Sequence, residues 1–482
     1  MHYAVIARIL GVLLMLFSLT MLPPILVSIL YADGATQAFI TAMIVIFGIG
    51  FTSWLPVRQI RQDLRTRDGF LIASLFWLAL GAAGTLPLML AAQPGLSFAD
   101  AFFETTSGLS TTGATVMTGL DLLPKSILWY RQQLQWLGGM GVVVLAVAIF
   151  PMLGIGGMQL YKAEVPGPMK DSKLTPRIAE TAKSLWYVYL FLTFACALAF
   201  WLAGMDTFDA ITHSFATVAT GGFSTHDASF GYFDNPIIEA ICIVFMLLAS
   251  FNFALHFYAW RNRSLSHYRN SGELVFFLQA LAWVGGIIVL TLWLTNTYSF
   301  GDAVRYGIFE LVSIVTSTGF GIADFTVWPM FVPILLFIVA YMGGCTGSTT
   351  GGIKVIRTQL LFAQAAHEIR RLIYPNAILQ VKLGKQVIGE RVLSSVWGFL
   401  AVYGLTTIVI SLALMTTGLD PVSAISAAGF CLNNTGVGMG AASSNYAGFT
   451  DLAKWLLGLT MLLGRLEIFT ILVLFSPSFW RG

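Results

Sequence analysis

Charged side chains are scarce in this sequence of 482 residues, since Asp, Glu, Lys and Arg make up only 10% of it and the net charge is +3. The length alone would suit about three soluble domains. The basic residues are spread over many segments instead of one face, so nothing favours nucleic-acid binding. The composition therefore argues against a soluble multidomain protein and against a nucleic-acid partner.

Cysteines and catalytic motifs are also scarce. Cys196, Cys242, Cys345 and Cys431 lie far apart, and three of them fall inside apolar runs. This spacing fits neither a disulfide framework nor a zinc site, and it indicates packing residues. The sequence has no Rossmann or Walker pattern and no plausible nucleophile–base or metal set. We therefore expect a chain that is not an enzyme and binds no nucleotide itself.

Hydrophobic residues, in contrast, make up 57% of the sequence. They fall in runs of about 20, the length at which a helix crosses ~30 Å of hydrocarbon. The first run is long for a signal peptide and is expected to be a retained span, kinked at Pro23 and Pro24. Ten stretches qualify as spans: 9–30, 38–55, 70–92, 129–153, 184–203, 236–260, 274–294, 328–362 with an interruption, 392–415 and 452–475.

Four more apolar stretches are too short to span. They are 98–109, 208–218, 304–315 and 422–432, and as helices they would cover ~17 Å, about half of the hydrocarbon. Each runs into a cluster of Gly, Thr, Ser or Asn. Such irregular backbone is tolerated at membrane depth only where protein encloses it or water lines it. We therefore expect re-entrant half-helices.

The charge distribution supports this topology. With re-entrant half-helices, loops 58–67, 162–183, 261–269 and 354–391 share one side with both chain ends and carry most of the 26 Lys and Arg residues. The positive-inside rule makes that side cytoplasmic. The opposite loops are acidic, which would attract cations.

The four short stretches are copies of one unit. Each is followed by a glycine, namely Gly113, Gly222, Gly319 and Gly436, and a period of roughly 100 residues indicates a repeat. We therefore predict an all-α polytopic membrane protein with four tandem helix–pore-loop–helix repeats after two N-terminal transmembrane helices. The expected divisions are 1–69 for the N-terminal pair with a cytoplasmic loop, then 70–160, 161–270, 271–387 and 388–482 for the repeats.

The polar clusters at these glycines are suited to a dehydrated cation. Extended loops offer backbone carbonyls as ligands, and glycine adopts the positive φ that such loops need. Hydroxyl groups can add ligands or hold the loops from behind, and the half-helices would point their partly negative C-terminal ends at the ion. The predicted filter residues are Thr111, Thr112, Gly113, Thr220, Gly221, Gly222, Ser317, Thr318, Gly319, Asn434, Thr435 and Gly436.

The interruption of the eighth span is one candidate gate. Residues 341–352 contain five glycines, too many for a stable helix in lipid. The segment is interpreted as a mobile gate below the filter, with a static bend or a substrate site of an alternating-access transporter as alternatives. Its predicted gate residues are Gly343, Gly344, Thr346, Gly347, Ser348, Gly351 and Gly352.

Arg465 is the second candidate gate, because a charge inside a span costs roughly 2.5–3.5 kcal/mol on insertion scales. It either faces the pore as an electrostatic brake or forms a structural ion pair, for which Glu467 is one candidate. Glu104 and Glu310 lie nine residues before their glycines and are expected to support the loops by hydrogen bonds. His213 and His256 are expected to be packing residues instead of metal ligands.

The loop sequences TTGA, TGGF, STGF and NNTG, together with GGCTGSTTGG and GRLEIF, resemble the Trk/Ktr/HKT superfamily, specifically its TrkH-type bacterial potassium-uptake subunits. The resemblance covers essentially the whole chain. It implies one pseudo-fourfold pore per chain, a homodimer, and a cytoplasmic nucleotide-binding partner of the TrkA kind. It also implies a bacterial cytoplasmic (inner) membrane. In that superfamily serine at the first filter glycine accompanies sodium conduction, so glycine in all four loops implies K⁺.

Gated potassium uptake through the four loops is therefore the leading function. Secondary transport of K⁺ coupled to H⁺ or Na⁺ is the alternative, as is a less selective Na⁺/K⁺ channel. Only one glycine per loop matches throughout, which would leave fewer ordered ion sites than a longer filter.

Overall fold

The computed structural model describes residues 2–60, 66–144, 174–375, 380–383 and 386–481. The described part is almost entirely helical. Its only strands form a two-residue antiparallel pair, Lys382–Leu383 with Gln386–Val387. Its α-helices are Tyr3–Leu19, Leu22–Tyr31, Thr36–Trp54, Thr66–Ala83, Thr85–Leu90, Phe98–Leu109, Lys125–Val144, Leu174–Leu202, Thr207–Ala219, Pro236–Ser250, Phe253–Asn262, Ser266–Arg269, Gly272–Leu294, Phe300–Val315, Phe331–Ala340, Val355–Ile373, Glu390–Met415, Pro421–Leu432, Asp451–Arg465, Phe469–Leu472 and Pro477–Trp480.

Six segments of the described chain are long and apolar enough to cross a membrane, and two bent helix pairs raise this to eight. They are Tyr3–Tyr31, Thr36–Val57, Arg67–Leu90, Lys183–Leu202, Gly272–Leu294 and Glu390–Met415. Large apolar side chains on these helices point outward, as Leu202 and Ile408 do with 71% and 58% of their surface exposed. Lipid is the natural neighbour of such faces. The protein is therefore a multi-pass membrane protein, as predicted.

The N-terminal pair of spans packs closely. The first span breaks after Leu19 and restarts at Leu22, with Pro23 and Pro24 in the new first turn, where a missing N–H costs nothing. The helix is therefore interrupted where the kink was predicted. A Cβ added to Gly11 would lie 2.7 Å from the carbonyl oxygen of Gly50, so the small residues allow the two backbones to approach.

Two predicted continuous spans are instead broken. Pro236–Ser250 and Phe253–Asn262 meet at 94°, and Asp451–Arg465 and Phe469–Phe475 meet at 107°. At the first break the side chain of Asn252 caps the new helix by accepting from the N–H of Ala254. At the second, Glu467 and Ile468 have φ of 54° and 41°, which no helix accommodates. Apolar residues continue through both breaks, so the composition of the sequence did not reveal them.

The four half-helices are present: Phe98–Leu109, Thr207–Ala219, Phe300–Val315 and Pro421–Leu432. Each begins after a capping residue whose side chain accepts a hydrogen bond from the backbone N–H three residues later. The capping residues are, in chain order, Ser97, Asp206, Ser299 and Asp420. The third is one turn longer at its start than predicted. Most of the basic loop 162–183 and the end of the predicted span 129–153 lie outside the described residues.

Candidate functional site

All four half-helices end in the same backbone turn. The residue two before each repeat glycine adopts a left-handed conformation, with φ between 51° and 55° at Thr111, Thr220, Ser317 and Asn434. The next residue donates its N–H to a carbonyl five residues earlier, at 2.8 Å in every loop. This is the Schellman turn, which normally uses glycine at the left-handed position. A side chain there costs roughly 1–2 kcal/mol, so each loop carries backbone strain that the surrounding packing must hold.

The repeat glycines themselves follow this pattern in three loops. Gly113, Gly222 and Gly319 have φ of 87°, 82° and 82°, as expected for glycine, but Gly436 is not in the left-handed region. The sequence analysis named the four residues two before these glycines as filter residues, but it did not predict their left-handed conformation. Their common position, with Thr, Ser or Asn in every loop, was the only available signal.

The four glycine loops (residues 110–114, 219–223, 316–321 and 433–438) form a closed ring. A Cβ added to Gly113 would lie 2.1 Å from the Gly221 oxygen, and one on Gly222 would lie 1.9 Å from the Thr318 oxygen. A Cβ on Gly319 would lie 3.1 Å from the Gly436 nitrogen. The circle closes because a Cβ on Gly436 would lie 2.2 Å from the Gly113 carbonyl carbon. Sequence-distant loops thus meet around one axis.

The polar side chains of the ring divide into two groups. Thr112 bonds to Ser110, and Thr318 to Thr316, both at 2.7 Å between hydroxyl oxygens. Among the described residues, four buried polar atoms of the ring have no hydrogen-bond partner: Thr111 Oγ1, Asn433 Nδ2, Asn434 Oδ1 and Thr435 Oγ1. Unsatisfied oxygens in a buried ring are free to accept a ligand.

Two buried glutamates support the loops. Glu104 accepts hydrogen bonds from the Thr115 hydroxyl and the Val116 N–H, and it forms an ion pair with buried Arg131 at 2.8 Å. Glu310 accepts from the N–H groups of Ile322 and Ala323 at 2.8 and 3.1 Å. This confirms the predicted hydrogen-bonding role.

The 343–352 segment lies against the ring. The Gly351 N–H donates to the Ser317 hydroxyl at 2.7 Å, and the Thr220 hydroxyl lies 3.2 Å from that of Thr349. A Cβ added to Gly351 would lie 2.1 Å from the Asn433 oxygen. The segment therefore touches three of the four glycine loops.

Helices around the pore also hold this segment. The Cys345 N–H donates to the Ser250 oxygen at 2.9 Å, at the broken span. The buried Glu273 accepts from the N–H of Thr346 at 2.7 Å, and Gly347 lies against the Asn252 side chain. Within the segment, the Ser348 hydroxyl donates to the Cys345 backbone oxygen. Gly343 and Gly352 take positive φ and pack on each other, which accounts for glycine at both ends.

Arg465 contacts the same segment. Its Nη1 donates to the Thr349 oxygen at 2.9 Å, while its Nε and Nη2 have no partner among the described residues. Glu467, the predicted alternative partner, instead pairs with Arg357 at 2.7 Å. Arg465 is thus a buried cation beside the 343–352 segment without an ion pair in the described structure.

The histidines are hydrogen-bonded, as predicted for packing residues. The ring of His213 contacts the backbone oxygen of Asp209 and the Ser224 hydroxyl. The ring of His256 contacts the Tyr268 hydroxyl and the backbone oxygen of Leu248. His226, which the sequence analysis did not single out, lies between the carboxylates of Asp121 and Asp209. It ties residues of the first and second repeats together, a long-range pairing that local sequence does not reveal.

Known proteins share this architecture over the whole chain. A family model described as TrkH, a cation transport protein, matches residues 35–481. The chain is 56% identical over 484 residues to the Trk system potassium uptake protein TrkH of Halomonas elongata, and 51% identical over 482 residues to that of Escherichia coli; each match covers 100% of both chains. The crystal structure of the potassium transporter TrkH from Vibrio parahaemolyticus superposes with a TM-score of 0.93 at 49% identity, covering 100% of both chains. This chain therefore belongs to the TrkH family of cation transport proteins.

Proposed function

We propose that this protein takes up K⁺ through the ring of four glycine loops. The observation that carries the proposal is the closed contact of Gly113, Gly222, Gly319 and Gly436 around one axis. The half-helices direct their C-terminal ends at this ring, which favours a cation there. Relatives at 51–56% identity are named potassium uptake proteins. The ion ligands are the backbone carbonyls of the loops, and the unsatisfied hydroxyls of Thr111 and Thr435 are further candidates.

The 343–352 segment and Arg465 act as the gate. The segment contacts three glycine loops, and Arg465 places a buried positive charge on it. A cation that has passed the ring would meet both. Opening requires the segment to leave Ser317 and Arg465, which breaks hydrogen bonds worth about 1 kcal/mol each in net terms.

Secondary transport coupled to H⁺ is the second candidate, and Glu273 is the observation that favours it. This buried carboxylate accepts from the N–H and hydroxyl of Thr346 within the proposed gate. A protonatable group in that place could link K⁺ passage to proton movement. Imposing a pH gradient with equal K⁺ on both sides of a vesicle separates the two candidates, because only coupled transport would then accumulate K⁺.

The names of the relatives, which assign them to a Trk system, support a multi-component assembly. The chain works as a homodimer in the bacterial inner membrane, with both termini cytoplasmic and membrane lipid around it. A TrkA-type nucleotide-binding subunit docks on the cytoplasmic basic loops. The exposed Arg370 and Arg371 of helix Val355–Ile373 suit such a partner. The four repeats divide at residues 70–160, 161–270, 271–387 and 388–482.

Purified protein in K⁺-loaded liposomes tests the proposal. We expect Rb⁺ or K⁺ flux well above that of empty vesicles and a smaller Na⁺ flux. Flux of Na⁺ without K⁺ would refute the ion assignment. Expression in a bacterial strain deficient in K⁺ uptake, with and without the nucleotide-binding partner, tests the same function in cells.

A further inference from the structure

The second glycine loop differs from the other three in the residue before its repeat glycine. Threonine occupies this place in the other loops, as Thr112, Thr318 and Thr435, whereas the second loop has Gly221. In the first and third loops this threonine bonds to a hydroxyl two residues earlier, at 2.7 Å. The second loop therefore lacks a side-chain bond that two of its counterparts make within themselves.

Gln135, from helix Lys125–Val144 of the first repeat, occupies the missing place. Its Nε2 donates to the Gly221 oxygen at 2.6 Å, and its Oε1 accepts from the Phe223 N–H at 3.1 Å. The orientation of the amide is unambiguous, since a carbonyl can only accept and an N–H can only donate. Gln135 is fully buried. One side chain thus brackets Gly222 on both sides.

Sterics explain why residue 221 is glycine. A Cβ added there would lie 2.4 Å from the Gln135 Cδ and 2.5 Å from its Oε1. The φ of Gly221 is not in the left-handed region, so the backbone itself does not demand glycine. The amide of Gln135 has taken the volume that a threonine side chain would need.

Two neighbouring residues of the same helix bond to the backbone just after Gly222. Gln132 Nε2 donates to the Phe223 oxygen at 2.7 Å, and Arg131 Nη1 donates to the Ser224 oxygen at 3.0 Å. Residue 135 lies on the same helix face as residues 132 and 131, because it follows them by three and four positions. The second loop is therefore held from another repeat, whereas Glu104 and Glu310 hold the segments after the first and third loops from within their own repeats.

We propose that Gln135 is a positioning residue that fixes the second loop around Gly222 and thereby contributes to discrimination of K⁺ from Na⁺. This rests on the proposed function of the glycine loops as the ion path. Selective coordination depends on the number and placement of carbonyl oxygens. A second loop released from Gln135 can close around the smaller ion, so Na⁺ flux rises relative to K⁺ flux.

The first test compares Gln135→Leu with Gln133→Leu. Gln133 is a buried glutamine on the same helix, but it bonds to the Thr20 oxygen and to Trp129, away from the ring. Losing the bracket should lower the K⁺/Na⁺ flux ratio in liposomes about fivefold for Gln135→Leu. Gln133→Leu should keep the wild-type ratio. A wild-type ratio in Gln135→Leu protein that elutes normally on gel filtration would overturn the proposal.

The second test exchanges the two occupants of the same space and stays informative if Gln135→Leu does not fold. Gly221→Ser alone should abolish K⁺ flux, because its side chain collides with the Gln135 amide. Combining it with Gln135→Ala makes room for a hydroxyl residue like those of the other loops. The double variant should therefore regain K⁺ flux lost in Gly221→Ser. If the double variant instead shows the summed losses of K⁺ flux of the two single variants, the proposed contact between Gln135 and the second loop is contradicted.

A third variant separates this proposal from the proposed function. Gly319→Ala alters the ring in another loop, where an added Cβ meets its nearest atom at 3.1 Å. An unchanged flux and ratio in Gly319→Ala would refute the ring as the ion path, and Gln135 with it. A changed ratio in Gly319→Ala with wild-type behaviour of the Gln135 variants would refute only the positioning role.

Discussion

The ring of glycine loops and the 343–352 segment are both rich in glycine and hydroxyl residues, but they are held in different ways. Each ring loop continues directly from a half-helix through a Schellman turn, and its glycine backbone presses on the next loop. The 343–352 segment is held by separate bonds, three of them with the side chains of Ser317, Glu273 and Arg465 and others with backbone groups such as the Ser250 oxygen. A structure fixed by helix ends and backbone contact has little freedom to move. A segment fixed by separate bonds can be released. The first property is what the proposed filter needs, and the second is what the proposed gate needs.

The largest effect should come from adding a methyl group to the ring. Gly222→Ala places a Cβ 1.9 Å from the Thr318 oxygen, and it does so at a residue whose φ is 82°. Neither the steric clash nor the backbone strain can be relieved without moving two loops. K⁺ uptake should fall to background in a cell-growth assay at low K⁺. Gly286→Ala is the matched control, because nothing lies within 4 Å of that position. Uptake at the wild-type rate by Gly222→Ala would show that the ring can move as freely as the 343–352 segment.

Removing the buried charge from the gate should have the next largest effect, in the opposite direction. Arg465→Ala eliminates both the positive charge and the bond to the Thr349 oxygen. We expect K⁺ flux without the cytoplasmic partner to rise about tenfold, equivalent to ~1.4 kcal/mol of barrier. Arg465→Lys, which keeps the charge, should rise less. Liposome flux no higher than wild type in Arg465→Ala would exclude the brake.

Loosening one bond between ring and gate should have a smaller effect. Ser317→Ala removes the acceptor for the buried Gly351 N–H, and the net contribution of this one hydrogen bond is about 0.5–1 kcal/mol. The closed position of the 343–352 segment is then less favoured, so basal K⁺ flux should rise about two- to fivefold. Ser395→Ala, on an exposed helix face, should leave the flux unchanged. A decrease in Ser317→Ala would mean that this hydroxyl serves the ion instead of the gate.

The smallest effect concerns pH and the outer loops. Burial alone would lower the pKa of His226, but hydrogen bonds and charges of Asp209 and Asp121 outweigh burial and raise that pKa. Burial likewise opposes ionisation of Asp121, yet the hydrogen bond from His226 lowers its pKa overall. The ring of Tyr232 also stacks on His226, with His213 and Ser224 nearby.

A raised histidine pKa stabilises the folded protein fully below the ordinary value of about 6.5. The contribution disappears as the pH rises through the raised value. The melting temperature of detergent-solubilised protein should therefore drop by about 1–2 °C more between pH 6 and pH 9 than that of His226→Gln. Equal pH dependence of the two proteins would show that His226 contributes nothing. Potassium flux at fixed pH should be nearly the same in both.

Local sequence patterns sufficed for the half-helices and the ring. The short apolar stretches and the glycine after each are encoded within about 16 residues, so Gly113 and its three counterparts could be found without a structure. The left-handed conformation of Thr111 and Asn434, both of which were among the predicted filter residues, was not predicted, because glycine is the usual residue at that position of a Schellman turn.

Features that depend on distant packing could not be predicted. Gln135 lies in an apolar span, and only the register of that helix against the second repeat brings its amide to Gly221. The broken spans were missed because apolar residues continue past Ser250 and Arg465, and hydropathy does not report direction. The pairing of Glu467 with Arg357 across 110 residues was equally hidden.

Anomalous diffraction from crystals grown in Rb⁺ would show whether the permeating ion passes through the ring. Rb⁺ resembles K⁺ in size and scatters anomalously. We expect an anomalous peak on the axis enclosed by Gly113, Gly222, Gly319 and Gly436, and this peak should weaken in excess K⁺ but persist in the same excess of Na⁺. Rb⁺ peaks at membrane depth only outside this ring would contradict it.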